Sequence, residues 1–186
     1  MSCSEDDDHD HEDDDHDHDH EEEVINEVTL TFTPTGGGDA LAFKWYDADG
    51  DGLGNPTIDA ISLAANTEYN LAITLANTLG SEPEDVTEEI KEEGDEHIFF
   101  FEFTNNVFSS PVGNGNFDSR ADELNYTDQD KDSNPIGLTT NWMTGDTTSG
   151  AAFRLILKHQ PDLKTATSDA TVGGTDLDIS FSLEVQ

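Results

Sequence analysis

The sequence predicts an all-β protein: a single antiparallel β-sandwich of about eight strands, preceded by a disordered acidic N-terminal tail. Apolar and polar residues alternate with a period of two in at least six segments, which is typical of strands with one buried face. Residues 4–23 contain no apolar residue, so they cannot bury enough surface to offset the entropy lost on folding. We therefore expect a tail over residues 1–23 and a domain over residues 24–186.

The strands are predicted in order along the chain by this alternation. The clearest ones cover residues 28–33, 41–45, 69–75, 99–103, 153–158 and 177–185, and weaker ones cover 123–127 and 138–143. Turn-forming residues separate them, at Gly36-Gly37-Gly38, Asn55-Pro56, Asn134-Pro135 and Gly173-Gly174. About eight short strands in a domain of this length favour an antiparallel sandwich.

One acidic stretch, residues 82–96, breaks the alternation. Its sequence, EPEDVTEEIKEEGDE, is expected to form a solvated loop between strands. One or two helical turns over residues 87–93 are the alternative. The high negative charge of this stretch would allow a metal ion or a cationic partner to order it.

The charge of the chain excludes several classes of function. It has 43 acidic residues against 7 Lys and Arg, a formal net charge of −36, and the domain from Val24 onward still carries −22. Nucleic-acid binding needs a basic surface, which seven cations cannot form, and an anionic membrane surface would repel the protein. No apolar run approaches the roughly 20 residues of a transmembrane helix.

The single cysteine, Cys3, lies in the tail, so no disulfide can form within the chain and a cysteine zinc site is excluded. The run Met1-Ser2-Cys3-Ser4, followed by acidic residues, looks like the start of a bacterial lipoprotein that lacks its apolar signal segment. Lipidation of Cys3 would anchor the chain to a membrane. The alternative is a terminal thiol with no role.

The tail carries a second chemical signal, because histidines alternate with acidic residues along it. Imidazole and carboxylate are good ligands for zinc and copper, and a flexible tail offers many exchangeable sites. The alternative is a charged tether that holds the domain away from the membrane. The candidate zinc or copper ligands are His9, His11, His16, His18 and His20.

Two turns of the domain carry acids at alternate positions, which is the arrangement found in the first half of calcium loops. An EF-hand is excluded in the first turn, because its twelfth position is Ile58 rather than Glu. A calcium site whose coordination shell is completed by residues distant in sequence is the hypothesis, and an acidic turn without an ion is the alternative. The candidate ligands are Asp47, Asp49 and Asp51 in the first turn and Asp128, Asp130 and Asp132 in the second.

The domain has two histidines, His97 and His159, each near a predicted strand end and close to acids. Together with Glu96 or Asp162 they could form a defined transition-metal site, although a surface hydrogen-bonding role is the commoner one. No nucleophile elbow, phosphate loop or zincin motif is present. We therefore expect a protein that is not an enzyme, and a hydrolase is disfavoured because no nucleophile and base can be named.

The domain is similar to small lipoproteins of flavobacteria and other Bacteroidota. The similarity rests on residues 22–33, the Asp47–Gly52 turn with Asn55-Pro56, residues 88–100, and the run Lys158-His159-Gln160-Pro161-Asp162. Such proteins are often described as type 1 periplasmic binding fold proteins. That fold alternates strands with helices in a considerably longer chain, whereas the periodicity here predicts strands almost throughout.

The resemblance implies a lipid-anchored outer-membrane protein that accompanies a TonB-dependent transporter. We expect it to be exposed at the cell surface, with the periplasmic face as the alternative. Combined with the tail, this predicts a lipoprotein that captures zinc or copper and passes it to the transporter. The alternative is a non-catalytic accessory subunit of an outer-membrane complex, braced by calcium, with the tail as a tether.

Overall fold

The protein is described by a computed structural model over residues 24–50, 52 and 54–186, and these residues confirm the all-β prediction. They form ten strands and one short helix. The predicted tail, with Cys3 and the five tail histidines, lies outside the described residues. The elements are β1 (Glu27–Pro34), β2 (Leu41–Tyr46), β3 (Thr57–Ile58), β4 (Ile61–Leu63), β5 (Glu68–Ala76), α1 (Val86–Glu92), β6 (His97–Phe103), β7 (Phe108–Ser110), β8 (Thr139–Thr144), β9 (Thr148–His159) and β10 (Gly174–Val185).

The strands form two sheets, with the order β3-β2-β1-β5-β8-β7 in one and β4-β10-β9-β6 in the other. Neighbouring strands are antiparallel except for the short β4, which runs parallel to β10. The second sheet carries the two histidines of the domain, since His97 is on its edge strand β6 and His159 is on β9. Among the described residues, no helix has both the length and the apolar character needed to cross a bilayer.

The main core lies between the two sheets and is rich in aromatic rings. Phe101, Trp142 and Phe153 are fully buried and pack against one another with ring centroids 5.1–5.9 Å apart. Strand β10 follows the predicted alternation, since its buried residues occur at every second position from Leu177 to Val185. Burying each large apolar side chain stabilises the fold by roughly 1.5–3 kcal/mol.

Strand β6 departs from the expectation of one buried face, because both of its faces are covered. Phe99, Phe101 and Phe103 join the main core. Ile98 and Phe100 form a second small cluster with Ile156 of β9 on the opposite face, against which Phe117 and Ala170 pack. The loops that contain these last two residues therefore fix β6 from outside.

The acidic stretch 82–96 contains a helix, where we expected mainly a loop. Helix α1 buries Val86 and Ile90 against the core, and this burial outweighs the repulsion among its acidic residues. Asp85 caps its N-terminus by accepting a hydrogen bond from the Thr87 amide. The Thr87 hydroxyl also bonds Leu75 of β5, which ties the helix to the first sheet.

The two weaker strand predictions had different outcomes. The segment 138–143 is confirmed as β8 with nearly the same bounds. The segment 123–127 is not a strand, since it contributes only an isolated bridge between Tyr126 and Thr140. The backbone of this segment lies beside β8, while the Tyr126 hydroxyl donates a hydrogen bond to the Phe99 carbonyl of the other sheet, so Tyr126 links the two sheets.

Candidate metal centre

The two histidines of the domain face each other at one end of the second sheet. His97 is the first residue of β6 and His159 is the last of β9, and the antiparallel register makes them direct partners. Their rings stack almost parallel, with centroids 4.5 Å apart and an angle of 7° between the planes. The predicted meeting of these residues is therefore observed, as a consequence of strand register.

Carboxylates surround this pair. Glu93 closes helix α1 and its backbone carbonyl lies 3.2 Å from His97 Nδ1. Ligand atoms of Glu93, His97 and His159 all lie within 4.8 Å of one another. Glu96 Oε2 lies 3.2 Å from His159 Nε2, so of the two acids that the sequence suggested as partners, Glu96 is in contact with the pair. Asp162 lies in the exposed turn after β9.

A further acid, Asp176, reaches the cluster through an irregularity in β10. The β9–β10 register shifts between Thr175 and Leu177, so Asp176 is the extra residue of a bulge, and bulges redirect side chains. Asp176 Oδ2 lies 3.7 Å from His97 Nε2. Sequence reasoning missed Asp176, because regular alternation would point its side chain outward with that of Asp178.

The two histidines differ in exposure. The His97 side chain is 1% exposed, whereas that of His159 is 20% exposed. Burial, and then the nearby His159 ring, lowers the pKa of His97 to about 4. His97 is therefore neutral at neutral pH, which is the form of imidazole that binds metal ions.

The backbone around the histidines is held by close packing and buried hydrogen bonds. Gly173 has a positive φ of 74°, and a Cβ there would lie 2.0 Å from the His159 carbonyl oxygen, so only glycine fits. Gln160 extends the β9–β6 pairing by one residue, since its backbone amide donates a hydrogen bond to the Glu96 backbone carbonyl at 2.6 Å. The buried Gln160 side chain also bonds Asp169, Val172 and Ser168, which ties the 160–173 loop to the end of β9.

The donor set determines which ions this cluster could hold. Two imidazoles with neighbouring carboxylates suit zinc or copper, whereas calcium prefers a shell of oxygen atoms. A tetrahedral zinc ion separates its ligand atoms by roughly 3.4 Å. The observed spread of up to 4.8 Å therefore requires the ligand side chains to move closer together when an ion binds.

The calcium candidates are engaged within the chain wherever the structure describes their contacts. Asp47 accepts a hydrogen bond from the Gly52 amide. Asp128 accepts from the amides of Gly137 and Thr139. Asp130 accepts from the amides of Asp132 and Asn134 and pairs with Lys164. Asp49 and Asp132 are exposed, and Asp51 lies outside the described residues, so calcium binding stays a prediction.

The chain was also compared with known proteins. Neither family models, nor curated proteins, nor solved structures give a match.

Proposed function

We propose that this protein binds a divalent transition-metal ion, zinc or copper, at His97 and His159. The observation that carries the proposal is the stacked histidine pair with Glu93, whose ligand atoms lie within 4.8 Å of one another. Glu96 and Asp176 are further carboxylates in contact with the two rings. Imidazole nitrogen makes the site selective for these metals over calcium and magnesium.

The wider role that we propose is capture of this metal at the outer-membrane surface by a protein anchored through Cys3. His9, His11, His16, His18 and His20 would collect ions, and a TonB-dependent transporter would receive them. The tail's composition and the similarity to Bacteroidota lipoproteins support this role. The −22 charge of the domain favours a transporter whose exposed surface is basic.

Calorimetric titration of Zn²⁺ and Cu²⁺ into full-length variants tests the metal site. A chain with all five tail histidines changed to Gln should still bind one ion with a roughly micromolar or tighter Kd. Adding H97Q and H159Q should weaken that binding by at least about 100-fold, because removing ligands costs more than disturbing their surroundings.

A matched pair of acidic residues gives the control for this titration. E93Q should weaken zinc binding, whereas D162N should leave it unchanged, because Asp162 is exposed in the turn after β9 and asparagine tolerates its positive φ of 57°. Equal affinities in the tail variant with and without H97Q and H159Q would refute the site.

A further inference from the structure

We infer that the two histidines of the domain bind the metal ion through different ring nitrogens, His97 through Nε2 and His159 through Nδ1, and that Glu96 is the positioning residue that selects the nitrogen of His159. This inference rests on the proposed function and deepens it, since it assigns the ligand atoms of that site. The hydrogen-bond partners of the other two ring nitrogens support it.

The position of the proton decides which nitrogen of a histidine faces a metal ion. A histidine that binds a metal ion is neutral, so one ring nitrogen carries a proton and the other carries a lone pair. An acceptor beside one nitrogen holds the proton there and leaves the opposite nitrogen for the metal. Backbone carbonyls and ionised carboxylates are acceptors only. The acceptors that touch the two rings therefore identify the nitrogen that each ring offers.

The His97 ring has its acceptor on the Nδ1 side. Nδ1 lies 3.2 Å from the Glu93 backbone carbonyl oxygen, and this oxygen can only accept a hydrogen bond, so Nδ1 is the N–H donor. Asp176 Oδ2 lies 3.7 Å from Nε2, which is beyond hydrogen-bond distance. In the neutral His97 ring the lone pair is therefore on Nε2.

The His159 ring has its acceptor beside the other nitrogen. Its Nε2 lies 3.2 Å from Glu96 Oε2, so Nε2 donates to the carboxylate, and the lone pair of the neutral ring is on Nδ1. The reverse tautomer would place the nitrogen lone pair against a carboxylate oxygen, where neither atom can donate. The two stacked rings thus offer different nitrogens, because their acceptors lie at different ring positions.

The backbone of Glu96 holds it in place as an orienting group. Its amide donates to the Glu93 carbonyl at 2.8 Å, and its carbonyl accepts from the Gln160 amide at 2.6 Å. The mutually close ligand atoms belong to Glu93, His97 and His159. Glu96 contacts His159 from outside that set. Metal-binding histidines usually donate their second nitrogen to a carboxylate or a backbone carbonyl, and here each ring has one of these two partners.

Nitrogen NMR of the full-length chain with Gln at the five tail histidines tests the assignment, because only two imidazole rings remain. At about pH 8 an ordinary imidazole is neutral, and long-range ¹H–¹⁵N correlation spectra distinguish a protonated ring nitrogen from a bare one. H97Q and H159Q assign the two rings. We expect the proton of His97 on Nδ1 and that of His159 on Nε2. Equimolar Zn²⁺ should then shift the resonances of the opposite nitrogens, His97 Nε2 and His159 Nδ1.

Two other results of this experiment have different meanings. The same tautomer in both rings, or zinc shifts at His97 Nδ1 or His159 Nε2, would overturn the assignment and leave the proposed function standing. An absence of zinc shifts from both rings would overturn the two together, because neither histidine would then bind the ion.

Replacing Glu96 by alanine tests its role as a positioning residue. E96A should lower the zinc affinity by roughly 10- to 100-fold and give His159 a mixture of both tautomers. His97 should keep its proton on Nδ1, because its acceptor is a backbone carbonyl. E92A is the matched control, since Glu92 is exposed on helix α1 and carries the same charge, and its zinc affinity should equal that of the parent chain.

The tautomer of His159 separates positioning from the other ways in which Glu96 could act. A weaker zinc site in E96A whose His159 keeps a single tautomer would show that Glu96 acts by its charge or as a ligand, which would overturn the positioning role. Unchanged zinc affinity in E96A would overturn it as well.

Discussion

Lys164 joins the second Asp-rich turn to the segment between α1 and β6. Its ammonium group is 2.9 Å from Asp130, and the two side chains are 0% and 1% exposed. It also donates to the Gly94 carbonyl at 2.5 Å, next to Glu93. A cation from the chain itself thus neutralises the Asp130 carboxylate, at the position where the sequence suggested calcium.

The Asp130–Lys164 pair has a defined pH dependence. Burial raises the pKa of Asp130, but the hydrogen bonds from Lys164 and from the backbone amides outweigh it, so this pKa lies below its usual value. A carboxyl group whose pKa is lower in the folded state stabilises the fold above the pKa of the unfolded chain, about 3.9. That contribution is lost as pH falls through the folded-state pKa.

Replacing Lys164 by Met should lower the free energy of unfolding by about 3–5 kcal/mol, because Asp130 is left buried without its cation. Urea denaturation at pH 7 measures the loss. The double variant D130N/K164M should recover part of it, since Asn can accept the same amide hydrogen bonds without burying a charge. A double variant no more stable than K164M would show that lost packing of the Lys164 stem, rather than the unpaired charge, is responsible.

Whether a single site residue could be predicted depended on whether a local sequence pattern determines its position in the fold. Both His97 and His159 stood near predicted strand ends, so antiparallel pairing of those strands was enough to bring them together. Asp176 reaches His97 only because of a register shift, for which its immediate sequence gives no signal. Glu93 lay within an acidic run, where neighbouring acids obscured its position as the residue that ends a helix.

At the level of elements, helix α1 and strand β6 form one unit that presents the candidate ligands. The helix ends at Glu92, Glu93 caps it, and β6 begins at His97. The Glu96 amide donates to the Glu93 carbonyl at 2.8 Å, which makes the connection a tight turn. This turn sets the position of Glu93 relative to His97, while the burial of Ile90 and the Thr87 bonds to Leu75 fix the helix against β5.

Replacing Ile90 by Ala should lower the free energy of unfolding by about 2–5 kcal/mol, because Ile90 is fully buried in the main core. Zinc binding at the domain site should weaken as well, since the helix that places Glu93 is loosened. Thermal unfolding and calorimetric titration measure the two effects.

The control for this change lies on the outer face of the same helix. Glu88 is 62% exposed and meets Lys91 only at 3.5 Å, so E88A should change the free energy of unfolding by no more than about 0.5 kcal/mol. Zinc affinity that is unchanged in I90A would mean that helix packing does not position the site.

Strands were predictable here because alternation is a local pattern, as in β10, where every second residue is buried. Helix α1 was harder to predict, because seven residues with only Val86 and Ile90 buried give a weak period against an acidic background. The 123–127 segment shows the opposite error. Its composition suits a strand, but it pairs with β8 only through one isolated bridge at Tyr126, whose side chain bonds Phe99 of the other sheet.

Across the whole molecule, negative charge is the dominant electrostatic feature. The domain from Val24 onward has 29 acids against 7 Lys and Arg, so most of its carboxylates have no cationic side chain to pair with. Several of those cations are already used in ion pairs, as with Arg154 between Glu102 and Asp178. Mutual repulsion among the remaining acids should destabilise the compact state.

Raising NaCl from about 10 mM to about 150 mM should therefore raise the Tm by a few degrees, because the Debye length falls from about 30 Å to about 8 Å and screens this repulsion. Differential scanning calorimetry measures the shift. A Tm that falls with NaCl would show that the ion pairs outweigh the repulsion.

The same scan with CaCl₂ at equal ionic strength separates screening from binding. If calcium braces the Asp47 turn, the Tm should rise further in CaCl₂ than in NaCl, and D47N should remove the excess. Equal shifts in the two salts would argue against a calcium site and would leave the Asp-rich turns stabilised by their own hydrogen bonds and by Lys164.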